Sequence, residues 1–161
     1  MKELLDKISS YNIFNYLLPG VLFSIIVNKF THYSLPIDNA FVGAFLCYFI
    51  GLIISRIGSL IIEPLLRFYS FLKFADYADF IAASKKDSKI EVLSEVNNTY
   101  RTLLTMLTLI PLVKFYEFLE SKISGLNEWS PYILILTLLI MFLFSYRKQT
   151  DFVRKRVDAN K

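Results

Sequence analysis

The chain has 161 residues, 55% of them hydrophobic and 16% aromatic, with a mean hydropathy of +0.47. Soluble domains hold about 45–50% apolar residues spread at amphipathic spacing, whereas here they fall into blocks. The net charge of +4 would point to nucleic acid in a soluble protein. In a chain this apolar it reflects loops kept on one side of a membrane, so no direct nucleic-acid contact is expected.

A helix crosses the bilayer core with roughly 20 mainly apolar residues. Four stretches reach or approach that length, at 11–30, 41–62, 102–118 and 131–146. The expected fold is therefore all-α: a single polytopic membrane domain over 1–161, with a cytoplasmic segment at 63–101 and a basic tail at 147–161. Lys2, Glu3, Asp6 and Lys7 mix signs ahead of the first span, and no small-x-small cleavage pattern follows it. It reads as a retained anchor rather than a signal peptide.

The first span contains Asn12, Asn15 and the pair Pro19-Gly20, where a proline is expected to bend the axis. The short loop after it carries His32, whose nearest acid in sequence is Asp38.

In the second span Gly43, Cys47, Gly51 and Ser55 recur every four residues, and Gly58 and Ser59 continue the stripe. Spacing by four places small residues on one helix face, where another backbone approaches closely. The partner of that face is a helix of this chain or of another subunit. Arg56 is the main candidate for a functional intramembrane charge, because such charges are costly in lipid. It either snorkels or pairs locally, or works inside the bundle; Glu63 lies two turns further along the same face.

The following segment alternates rings with charges: Phe68, Tyr69, Phe71, Tyr77 and Phe80 among Arg67, Lys73, Asp76 and Asp79. This predicts an aromatic-rich cytoplasmic helix, bent away from the second span at Pro64. It lies at the headgroup layer or against its neighbours' ends. Ser88 with Glu91 fits a capping box. Helical spacing through Ile90, Leu93, Val96 and Tyr100 then predicts one long helix from about Lys89 to Glu120. The sequon Asn97-Asn98-Thr99 falls on its cytoplasmic part and is discounted. Near the far end, Lys114 and Glu117 are placed for an i,i+3 ion pair. Ser130-Pro131 is expected to open the fourth span as cap and first helical residue.

Lysine and arginine resist translocation, so short loops rich in them stay inside. The N-terminus, the central segment and the C-terminal tail hold fourteen of them, whereas the two other loops hold only Lys29 and Lys122. Both termini are expected in the cytoplasm. The basic tail is a topology determinant, and its charges bring affinity for anionic lipids in the bilayer. Trp129, Tyr132 and Tyr116 fall at the outer boundary and Tyr11, Tyr100 and Tyr146 at the inner one.

The single cysteine and single histidine stand on different elements, which offers neither a zinc site nor a nucleophilic dyad. There is no glycine-rich phosphate loop and no HExxH. An enzyme is not expected, nor any cofactor or metal. Three function classes remain: a membrane subunit that recruits or signals to a cytosolic protein, an oligomeric pore-forming or membrane-perturbing effector, and a small transporter component. The location of most non-membrane residues on one side favours the first.

The run YNIFNYLLPG at 11–20, the intramembrane Arg56 and the four-span layout resemble small membrane proteins of bacterial anti-phage operons, such as the membrane subunit of the Kiwa system. The resemblance implies a homo-oligomeric sensor in the bacterial inner membrane that works with a cytosolic, nucleic-acid-handling partner. It assigns no catalytic or binding residue.

Overall fold

Without water to bond to, a backbone in lipid must satisfy every N–H and C=O within its own segment, and long apolar blocks answer this as helices. A computed structural model describes residues 13–36 and 39–160. The readings that involve Lys2, Lys7, Tyr11, Asn12, Asp38 and Lys161 lie outside the described residues.

Among the described residues the fold is entirely helical. A π-helical turn, Ile13–Leu17, leads into α1 (Leu18–Phe30). Helix α2 (Ala40–Ile57) passes through a second π-helical turn, Gly58–Ile62, into the short α3 (Glu63–Phe68). After α4 (Tyr77–Lys86) come two long helices, α5 (Lys89–Lys122) and α6 (Leu126–Asp158). Four helical runs are long and apolar enough to cross a membrane: Ile13–Phe30, Ala40–Phe68, Lys89–Lys122 and Leu126–Asp158.

The two π-helical turns have one cause. Each ends two residues before a proline, Pro19 in one case and Pro64 in the other. Proline has no N–H to give and its ring crowds the preceding turn; a wider turn relieves both conflicts without ending the helix. Pro64 therefore does not bend the aromatic segment away. The helix continues to Phe68 and breaks only over 69–76, where Ser70 takes a left-handed φ of 58°. The single aromatic helix expected there is instead two short helices, α3 and α4.

Helices α1 and α2 are in backbone contact. A Cβ on Gly20 would lie 1.8 Å from the Cys47 carbonyl oxygen, and one on Gly51 would lie 1.8 Å from that of Tyr16. The contact is reciprocal, with one α-hydrogen of each glycine aimed at a carbonyl of the other helix. Gly43, Cys47, Gly51 and Ser55 are all buried, so the stripe of α2 meets α1 of the same chain. One turn further, a Cβ on Gly58 would lie 2.5 Å from the Thr105 hydroxyl, which brings α5 against the same face.

Helix α6 packs differently. Met141 is its buried residue, and its attachments are mainly at its two ends. Phe49 and Phe142 stack at 6.2 Å near its middle.

Two helix starts differ from expectation. Ser88 makes no side-chain cap; the Lys89 N–H donates to the Asp87 carboxylate at 2.9 Å instead. The Asp87 carboxylate sits beside the first free donors and is a stronger acceptor than a hydroxyl. Helix α6 begins at Leu126, after Gly125 in the left-handed region (φ 83°), and Pro131 lies inside it.

Candidate functional site: polar clusters at the two ends of the bundle

At the end shared by Ile13 and Asp158, polar side chains from all four long helical runs converge. Glu63 is the hub. Its carboxylate accepts from the Arg101 guanidinium at 2.5 Å, and the Lys148 ammonium lies 3.7 Å away. Lys148 also donates to the Ser59 carbonyl at 2.5 Å and to its hydroxyl at 2.8 Å. This clamp holds α6 to the second π-helical turn. A carboxylate in a low-dielectric bundle needs such partners, because leaving it unpaired costs several kcal/mol.

Deeper in, Thr102 donates to the Asn15 carboxamide oxygen at 2.9 Å. Asn15 is 1% exposed and Thr102 and Thr105 are fully buried. Thr105 returns its proton to the Arg101 carbonyl at 2.7 Å, one turn back on its own helix. The Asn15 amide nitrogen and the Ser55 hydroxyl have no hydrogen-bond partner. The seam is thus polar, closed and incompletely paired.

Arg56 is half-buried, with a guanidinium nitrogen 3.5 Å from the Tyr16 hydroxyl on the adjoining first helical run. Glu63 does not pair with it, despite sharing a face in sequence. The carboxylate turns to Arg101 and Lys148 on other helices. Two cations, Arg101 and Lys148, therefore share one acid.

The opposite end is organised by His32. Its backbone N–H donates to Glu117 at 2.9 Å, and its Nδ1 lies 2.9 Å from the same oxygen. Its Nε2 is 3.5 Å from Glu120. The Tyr33 hydroxyl donates to Glu120 at 2.5 Å. Burial and the adjoining Glu120 carboxylate push that phenol above its ordinary range. Ser130 donates to the other Glu120 oxygen and lies 2.7 Å from the Tyr116 hydroxyl. Ser130 therefore ties α5 to α6 rather than opening α6. Lys114 and Glu117 pair at 2.5 Å, and Lys114 also donates to the Phe30 carbonyl at 3.0 Å. An open cleft of about 660 Å³ lies beside these groups. Among the described residues no group of three histidine, cysteine or acidic side chains is placed to hold a metal ion.

Cys47 is buried between α1 and α2, its sulfur 3.7 Å from the Ser24 hydroxyl. The structure brings together Asn15, Ser59, Glu63, Arg101, Thr102 and Lys148, of which sequence reasoning singled out none as a site. The signal in the sequence is threonine at 102 and 105 on one face of an apolar block, opposite an asparagine in another. Compared with family models, curated proteins and solved structures, the chain matches none, so its function is argued from its own residues.

Proposed function

We propose that this chain is a non-enzymatic subunit of the bacterial inner membrane that recruits or signals to a soluble partner in the cytoplasm, where the charge bias puts both termini. The observation that carries the reading is apolar surface beyond the spans. On α5, Val92, Leu93, Val96 and Tyr100 stand exposed before the third apolar block begins. On α6, Val153 and Val157 stand exposed beyond Arg147 and Lys148. These positions lie outside the apolar blocks at 102–118 and 131–146, and contiguous apolar surface in water marks an interaction site. The resemblance to membrane subunits of anti-phage systems supports a sensor role, with homo-oligomers as the working form.

The test is a photo-crosslinking residue at Val96, in cells that carry the neighbouring genes. The expected product is a defined adduct with a cytosolic protein, lost when Leu93 becomes aspartate. Adducts with lipid alone, or only with other copies of this chain, would contradict the reading.

A second reading, an oligomeric pore-forming or membrane-perturbing effector, draws support from the polar seam. Unpaired Asn15 and Ser55 atoms would be satisfied if the seam opened to water.

A further inference from the structure

We propose that a cleft between α3 and α6 seats the phosphate of an anionic phospholipid. The cleft holds about 490 Å³ and is lined by Arg67 from α3 and by Lys148 and Lys155 from α6. Lys148 and Lys155 are seven residues apart, two turns along one helix face. Glu63 and Asp151 also line the cleft, but each has its own cation: Glu63 pairs with Arg101 at 2.5 Å and Asp151 with Arg154 at 3.2 Å. Among the described residues Arg67 and Lys155 have no carboxylate within 4.0 Å. Positive charge is therefore left over in the cleft, and a phosphodiester oxygen supplies charge-assisted acceptors for it.

Two features identify a lipid rather than a free phosphate. The cations share the cleft with Leu60, Pro64 and Phe152, apolar surface suited to a glycerol backbone and the first acyl carbons. The depth also fits. Lys148 lies two residues past Tyr146, where the fourth apolar block ends. Lys155 lies about 10 Å further at 1.5 Å per residue. A headgroup layer is about 5–8 Å thick on each side of the core, so Lys148 falls within it, and the long Lys155 side chain, which leans toward the N-terminus of its helix, reaches back to it. The inference requires only that this end of the bundle meets a leaflet; it does not depend on a cytosolic partner or on which leaflet is involved.

The experiment is native mass spectrometry of the full chain in non-ionic detergent, titrated with phosphatidylglycerol, phosphatidylcholine or inorganic phosphate. Phosphatidylglycerol is expected to bind about tenfold tighter than phosphatidylcholine, with inorganic phosphate failing to displace it. Arg67→Gln with Lys155→Gln should weaken phosphatidylglycerol about tenfold. Lys85→Gln with Lys86→Gln, the same charge change on α4, should leave it unaltered. Lys148 stays intact because it clamps Ser59. Lys155→Gln alone, at an exposed helical position with no ion pair among the described residues, serves if the double variant misfolds; it should give part of the loss. Equal loss in both double variants, no preference for the anionic lipid, or displacement by inorganic phosphate would overturn the proposal. Because the measurement is made in detergent without a partner, its failure leaves the recruitment reading standing, and the reverse also holds.

Discussion

Gly51 and Tyr16 are in backbone contact: a Cβ on the glycine would lie 1.8 Å from the Tyr16 carbonyl oxygen and 2.9 Å from its Cα. No rotamer change relieves such a clash, because the obstacle is main chain. Gly51→Leu must push α1 and α2 apart and forfeit the packing that holds helices together in lipid. Overpacking costs roughly 1–3 kcal/mol in interiors that can shift, and here the upper part of that range is expected. Because the contact lies within one chain, the variant should fall in cellular level and in detergent melting temperature. A stable variant that merely dissociates into monomers would mean that the stripe serves another subunit.

The Asn15–Thr102 pair gives a second test. Thr102→Val keeps the shape but leaves the Asn15 carboxamide without the donor it now accepts from, beside an amide nitrogen already unpaired. A stranded buried polar group costs about 1–3 kcal/mol. Replacing both partners by apolar groups of like shape, Asn15→Leu with Thr102→Val, should restore much of the loss. Thermal unfolding of the four members of this double-mutant cycle checks the pattern, and simple additivity would refute it.

Much of this fold is legible in the amino-acid sequence. The blocks at 11–30, 41–62, 102–118 and 131–146 announce four helices long and apolar enough to cross a membrane, since length and hydropathy are local properties. Unbroken spacing from Ile90 into the third block likewise foretells α5, which runs Lys89–Lys122. Partners are another matter. His32 meets Glu117 and Glu120, about 85 residues away, and Glu63 meets Arg101 and Lys148 rather than Arg56. Periodicity says which face a side chain is on; the register between helices decides what it touches. Pro64 reads as a bend because proline usually ends an i→i−4 ladder, and a π-helical turn that absorbs it leaves no mark in composition.

The charge hub should respond to loss of its acid. Glu63→Ala leaves Arg101 and Lys148 near each other without a carboxylate between them. Breaking a fully buried pair costs about 3–5 kcal/mol; with the side chains here 14–28% exposed, on the order of 2 kcal/mol is expected. Glu63→Leu combined with Arg101→Met should recover part of the stability in the same melting assay. Equal stability of Glu63→Ala and the parent would mean that the Glu63 hub does not hold the helices together.

Ion flux separates a closed bundle from a pore. Ile54, Ser24, Ser55, Thr102 and Thr105 are at most 1% exposed, so among the described residues the polar seam is closed to water. Expression alone should leave the membrane potential of cells unchanged by a voltage-sensitive dye. Constitutive depolarisation, abolished by Arg56→Leu, would favour the effector reading.

The central claim is a four-span chain with both termini in the cytoplasm, and single-cysteine labelling tests it most directly. Cys47→Ser removes the only native thiol, giving a clean background for cysteines placed one at a time at the exposed positions Ser34, Asn127, Lys86 and Asn160. An impermeant maleimide added to intact cells should label Ser34→Cys and Asn127→Cys, and should reach Lys86→Cys and Asn160→Cys only after the membrane is opened. Labelling of Lys86→Cys or Asn160→Cys in intact cells would contradict the topology and the cytoplasmic recruitment surface built on it.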